Sequence, residues 1–202
     1  MATEGAPATV TLAVEGDADV AVLLRILRHV GLEAGPIHGL RGKGWLDQHL
    51  QGYNYAARHA PWLVLRDLNG DAPCASALLA TLLPNPASGM CFRIAVGAAE
   101  AWLLADREGI AQFLGVPLAV IPQDPERLRH PKKALVQIAR KSRWRAVRED
   151  LVPAVGTSAA VGPGHIGRMV QFASENWRPA AAAGHSRSLA RCLAALKRRS
   201  EG

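Results

Sequence analysis

Trp62-Leu-Val-Leu-Arg-Asp-Leu-Asn-Gly-Asp71 is a short apolar run that ends in Asp67, Asn69 and Asp71, three oxygen-bearing side chains set round a glycine. A compact apolar run bounded by turn residues predicts a buried strand that delivers an acidic loop. Toward the N-terminus the device is repeated: Val10-Thr-Leu-Ala-Val14 runs into Glu15-Gly16-Asp17, and a helical pattern follows from Ala18 to Val30. In an open α/β sheet the carboxyl ends of neighbouring parallel strands converge on one crevice, so Glu15 and Asp67 are expected to face each other across it. A pocket of carboxylates suits a hard divalent cation, magnesium foremost.

The segments between and after these loops alternate. Helix one carries Val22, Leu23, Ile26, Leu27 and Val30 on a broad apolar face, has Asp17 or Asp19 in its first turn as a cap, and stops at Gly31. A short second strand is expected at Pro36-Ile37-His38, and helix two over 45–59. Its two tyrosines, Tyr53 and Tyr55, read as packing residues. A third helix, opened by Asp71 or Ala72-Pro73, runs to Leu82. A fourth strand covers Met90 to Val96, and a further helix spans Gly97 to Asp106. This order predicts right-handed crossovers and an α/β fold with a mainly parallel central sheet flanked by helices. Glu100 falls early in the last of these helices, just past a strand end, where a buried carboxylate needs a metal, an arginine or backbone donors. Asp106 lies six positions on, faces elsewhere, and reads as a cap for a helix over 107–114.

Gly39-Leu-Arg-Gly-Lys-Gly44 admits two readings, a phosphate-contacting loop using Arg41 or Lys43, or an ordinary turn. A P-loop is excluded, since Ile37 stands where its first glycine belongs and Gly44 where Ser or Thr would hold magnesium.

From Gly115 the texture changes to prolines at 117, 122, 125 and 131, which divides the chain into an α/β core over 9–114 and a helical C-terminal region over 115–202 packed on it. Pro131-Lys132-Lys133 opens a helix, and Arg140-Lys141-Ser-Arg143-Trp144-Arg145-Ala-Val-Arg148 is a basic run with one aromatic inside it. Either this run grips a phosphate backbone while Trp144 stacks on a base, or it is a solvated face with one packed tryptophan. His165 follows a glycine turn, the usual setting of a structural histidine, and a helix is expected over 166–177. Ser186 or Ser188 caps a final helix over 189–196.

Twenty-four Lys and Arg against seventeen Asp and Glu leave a formal charge of +7, with the acids gathered partly at the two loops and Lys and Arg dominant in the last third. Basic surface around an acidic pocket suggests a polyanionic partner. Three cysteines far apart show no metal-ligand spacing. No apolar run approaches a membrane span, and Met1-Ala-Thr-Glu-Gly-Ala-Pro7 has no signal-peptide character, so a cytoplasmic, non-membrane protein is expected.

Val14-Glu15-Gly16-Asp17, Arg66-Asp67-Leu68-Asn69-Gly70-Asp71 and Ala99-Glu100-Ala101-Trp102-Leu103-Leu104-Ala105-Asp106 together resemble a bacterial family designated a domain of unknown function, TOPRIM-like and akin to RloB-type and OLD-type nucleases of phage defence. Pro131-Lys132 and Ser186-Arg-Ser-Leu189 extend the likeness over nearly the whole chain. The resemblance implies a TOPRIM-like sheet in which Glu15 is the glutamate after strand one, Asp67 the first aspartate of an Asp-x-Asp pair, and Glu100 the glutamate completing a second metal site. Asn69 stands where the second aspartate is expected. It can still ligate magnesium through its carbonyl but brings no charge, unless Asp71 compensates.

The function expected is that of a nuclease dependent on Mg2+ or Mn2+. Asp67, Asn69 and Asp71 would hold one or two ions, Glu15 would ligate metal or deprotonate water, and Glu100 would support the second ion. Lys43, Lys132 or Lys133 would neutralise nonbridging oxygens, and Arg140, Lys141, Arg143, Trp144 and Arg145 would bind DNA or RNA. The rival is a nucleic-acid or nucleotide-binding adaptor of a defence complex, with a partner such as an ATPase, that keeps the fold without turnover. A third reading has the carboxylates merely capping helices and pairing with Arg25, Arg66 and Arg93.

Overall fold

A computed structural model describes residues 8–200. Four strands, β1 (Thr9–Val14), β2 (Glu33–Gly39), β3 (Trp62–Asp67) and β4 (Met90–Ala95), form an all-parallel sheet in the order β2-β1-β3-β4. They are linked by α1 (Asp17–Val30), α2 (Gly42–Ala56) and α3 (Ala75–Leu82), so the α/β alternation read from the sequence is the fold.

Strand periodicity sorts the side chains to two faces. Val10, Leu12 and Val14 of β1 join Leu63 and Leu65 of β3 against α1, whereas Ala13, Trp62, Val64, Phe92 and Ile94 meet Leu46 and Leu50 of α2 and Leu78 of α3. Covering on both faces explains why β3 is apolar without alternation, and every one of its residues is buried.

After β4 come α4 (Ala99–Ala105), α5 (Arg107–Leu114), α6 (Pro131–Ala139), α7 (Arg145–Leu151), α8 (His165–Gln171), α9 (Pro179–Ala183) and α10 (Arg187–Ser200). Leu135, Leu151, Met169, Phe172, Trp177, Leu189 and Leu196 from this region enter the same core as β1 and α1. The C-terminal helices therefore build the layer over the α1 face of the sheet.

Four details differ from the expectations. Helix α2 begins at Gly42, so Lys43 lies in a helical first turn and not in a phosphate-cradling loop. Strand β2 is longer than three residues and is an exposed edge, which is why its apolar signal is weak. The helix expected over 166–177 gives way at Phe172 to a π-turn, Phe172–Asn176. Helix α9, a Pro-Ala-Ala-Ala-Ala turn, has no apolar period to announce it.

The sheet order fixes where a ligand can enter. The chain passes from β1 to β2 on one side and returns to β3 on the other, so the loops after β1 and β3 part in opposite directions and leave a crevice at their carboxyl ends. Ala13 of β1 is in register with Val64 of β3, and two further steps along both strands bring Glu15 level with Arg66.

Candidate active site

Glu15 and Asp67 meet in that crevice. The Glu15 carboxylate accepts a hydrogen bond from the Asp67 amide at 2.9 Å, and its same oxygen, Oε1, lies 3.6 Å from the Arg66 Nε. Asp67 is buried and turns its Oδ1 to the amide of Ala99, 2.9 Å away, so it caps the start of α4. That cap brings Glu100, one residue on and 4 % exposed, to the same side. Gly97, with φ +81°, makes the turn into α4, and a Cβ there would stand 3.0 Å from Pro131. The close approach draws the opening of α6 over the site, with the Lys132 ammonium 3.6 Å from Glu100 Oε1. His165, buried at the head of α8, sets its Nε2 3.5 Å from the same oxygen.

Asp19 belongs to the cluster too. It is 8 % exposed in the first turn of α1 and takes the Gly16 amide on Oδ2 at 2.9 Å. Its acids at one loop, Glu15, Asp17 and Asp19, exceed what a single helix cap needs, and that excess was the available signal.

The carboxylates share one pattern of use. Glu15 Oε1, Asp67 Oδ1, Glu100 Oε1 and Asp19 Oδ2 face protein donors, while the second oxygen of each accepts from no protein group among the described residues. Glu100 Oε2 is fully buried in this condition, as is His165 Nδ1. A buried, unpartnered carboxylate oxygen is expensive to maintain, which argues for a cationic ligand.

Electrostatics agree. Burial raises the Asp67 carboxyl well above the ordinary 3.8, and the charges of Asp19, Glu15 and Glu100 raise it further. Burial likewise lifts Asp19 to about 7, with Glu15 and Glu100 adding to it. Glu15 is raised by burial, against the Asp67 amide and Arg66, which favour its charged form. Lys132 is raised: its own burial opposes the shift, and the pull of Glu100, Asp67, Asp19 and Glu15 outweighs that. Lys132 is thus the cation common to all four acids. Their chemistry, hard oxygens in excess of positive charge, fits magnesium or manganese. No three His, Cys, Asp or Glu among the described residues are already spaced to enclose an ion, so ligation requires the side chains to draw together.

The other residues of the acidic loop are placed differently. Asp71 is exposed, 2.6 Å from Arg66 and 2.9 Å from Lys43, and these two cations, Lys43 before Arg66, hold its carboxyl below the ordinary value. Arg66 also pairs with Asp47 at 3.0 Å. Strand alternation explains the split, since Arg66 points to the α2 face with Val64 while Asp67 points with Leu65 to the face of α1 and α4. Asn69 is exposed with φ +47°, a left-handed turn conformation that asparagine adopts more readily than most residues. Lys43, Asn69 and Asp71 therefore form the outer lip of the loop, apart from the buried acids.

Asp106 is a cap, as expected: it accepts the Gly109 amide and binds Arg178 through both oxygens, the shortest contact being 2.6 Å. Of the basic residues proposed for nucleic acid, Lys133, Arg140, Lys141, Arg143 and Arg145 are exposed along α6 and the approach to α7. Arg145 pairs with Glu149 at 2.7 Å. Trp144 is 41 % exposed and lies across Gly115, its ring 2.7 Å from where a Cβ would be. Arg25 and Arg93 pair with none of the four acids; Arg25 binds the Trp177 carbonyl.

No family model, no curated protein and no solved structure matches the chain. Among the described residues, no helix is long and apolar enough to cross a membrane.

Proposed function

We propose that the protein is a metal-dependent nuclease of TOPRIM-like build, hydrolysing nucleic-acid phosphodiesters with magnesium or manganese. One observation carries this reading: at the switch point of a parallel sheet, Glu15, Asp67 and Glu100 each hold one oxygen fixed and one oxygen free. These three would hold the cation, with Asp19 as the cluster's fourth acid. When bound, the cation supplies Lewis-acid polarisation of the phosphoryl group and neutralises developing charge.

The chain's own groups supply the rest. Glu15, raised by burial and with its side chain 15 % exposed at the crevice, is suited to accept a proton from an attacking water. Lys132, 3.6 Å from Glu100 Oε1 and drawn by all four acids, is suited to donate to a nonbridging oxygen. His165 sets the orientation of Glu100 from below. The exposed bases from Lys133 to Arg145 would carry the flanking strand.

Manganese titration by calorimetry, followed by cleavage of single- and double-stranded DNA and RNA, tests the reading. Wild type should bind and cut. Glu15→Gln and Asp67→Asn should lose both, and unchanged divalent affinity in those variants would overturn the metal site.

A second reading is a non-cutting nucleic-acid or nucleotide-binding adaptor. Asn69 is an uncharged turn residue and Asp71 is engaged by Lys43 and Arg66, so the acidic loop brings only Asp67 to the cluster. Metal binding without cleavage of any of the four substrates would select it. A place in phage defence, and an ATPase partner, rest on the sequence resemblance alone.

A further inference from the structure

A second concavity, of about 340 Å3, opens beside the sheet at β4, between the start of α3 and the start of α10. Arg93, Arg187 and Arg191 all line it. None of the three has a carboxylate within salt-bridge distance among the described residues, and Arg93 alone makes a side-chain contact, from its Nε to Cys91 Sγ at 3.3 Å. The contrast with Arg66 and Arg178, each held by two or more acids, is plain. One acid, Glu126, shares the cavity, but its Oε1 is taken by the hydroxyls of Ser186 and Ser188 and by the Ser188 amide. Three guanidinium groups thus share the cavity with a single carboxylate, hydrogen-bonded through Oε1, and positive charge is in excess there.

Like charges gathered in one recess repel, and an arginine fork left unmatched is built to take two oxygens of one anion. The pocket is also placed for it. Ile94 and Val96, which form its wall, flank Ala95, the residue in register with Asp67. The recess therefore lies along the edge strand β4, one strand over from Asp67 and toward the same carboxyl end of the sheet.

We infer that Arg93, Arg187 and Arg191 form a phosphate-binding subsite that holds a backbone phosphate of the strand running past Glu15 and Asp67. Only the assignment to a strand rests on the nuclease reading; the binding of a phosphate group does not.

Cys74 gives a direct probe. It lines the same cavity and is exposed, whereas Cys91 and Cys192 are buried. Hydrogen bonds from the Ser76 hydroxyl and the Ala77 amide hold its thiol below the ordinary value, which favours alkylation. The full chain is treated with iodoacetamide in EDTA, so that neither divalent binding nor cleavage enters, with and without a single-stranded oligonucleotide or inorganic phosphate at equal phosphate concentration. The oligonucleotide should slow alkylation of Cys74 severalfold and phosphate much less. Arg187→Gln with Arg191→Gln should abolish the protection and flatten the salt dependence of oligonucleotide binding by about 0.7 for each contact removed. Both arginines are exposed, so the variant should melt as wild type does.

Equal protection by inorganic phosphate would keep the phosphate site and assign it to a free phosphate ligand. Protection by neither, or protection that survives in the double variant, would overturn the subsite. Because the assay contains no metal, its failure leaves the carboxylate site standing, and failure of cleavage leaves the subsite standing.

Discussion

Replacing Asp19 by asparagine should stabilise the metal-free protein at alkaline pH and leave it unchanged in acid. In the folded chain the Asp19 carboxyl is raised from 3.8 to about 7, first by burial and then by Glu15 and Glu100. Below pH 3.8 both folded and unfolded chains carry the proton, and the native state bears no penalty. Between 3.8 and about 7 the unfolded chain ionises while the folded one resists, so stability is lost as pH rises, and the loss is complete above 7. At about 1.4 kcal/mol per pH unit the gap corresponds to about 4 kcal/mol. Asparagine escapes that cost and can still accept the Gly16 amide, but a neutral acceptor is weaker than a carboxylate by about 1 kcal/mol. The net gain expected at pH 8 is about 2–3 kcal/mol, or about 5–10 °C in Tm for a chain of this size. Calorimetric melting in EDTA from pH 4 to pH 8 reads this directly. On the proposed metal reading, saturating manganese should erase the advantage, since a bound cation would neutralise the cluster in wild type. A variant that is less stable than wild type at every pH, with no dependence on pH, would refute both the burial of Asp19 and its coupling to the other acids.

Asp67→Asn should lower turnover by about 100-fold or more if the free oxygen ligates the reacting cation, read as initial rates of oligonucleotide cleavage in manganese. Lys43→Ala should leave cleavage within about twofold and stability within about 1 kcal/mol, because its partner is an exposed acid on the outer lip; single-turnover rates and urea melts check this. Asp106→Ala should cost about 2–3 kcal/mol in urea unfolding without changing divalent affinity, since it removes a helix cap and the bidentate partner of Arg178, whose half-exposed charge water can still solvate.

The sheet was legible because period and punctuation agree in it. Val10–Val14, Trp62–Arg66 and Met90–Ala95 are apolar runs stopped by turn residues, and a strand covered on both faces leaves no other pattern. Glu15, Asp67 and Glu100 were legible for a related reason, since each stands at or shortly past the carboxyl end of a strand. Lys132 was visible only as one of several bases, and His165 only as a histidine after a turn. Their place beside Glu100 depends on Gly97 admitting Pro131 and on how α8 packs, which are contacts across tens of residues with no local trace. The acidic loop misled in one respect. Three oxygen-bearing residues round Gly70 look like one ligand set, yet strand alternation sends Asp67 inward while Asn69 makes the turn and Asp71 is taken by Arg66 and Lys43. Arg66 was the clue, because a buried arginine between the loop's two acids and its neighbours must claim some of the carboxylates around it.

The same geometry accounts for the electrostatic cost that the cluster carries. Folding a parallel sheet in the order β2-β1-β3-β4 forces the ends of β1 and β3 together, and the chain places acids there in place of neutral caps. Two neutral residues would have capped α1 and α4 as well, at no electrostatic cost. Asp19 and Asp67 are instead raised by burial and by the neighbouring charges of Glu15 and Glu100, with Lys132 as the common cation and no full balance of charge. A fold core that encloses Trp102, Trp177 and Phe172 completely can tolerate a local deficit of this kind, and a bound divalent ion would relieve it. Stability that rises with manganese in wild type, and fails to rise in Asp67→Asn, is the signature that separates a cluster made for a cation from one that merely caps helices.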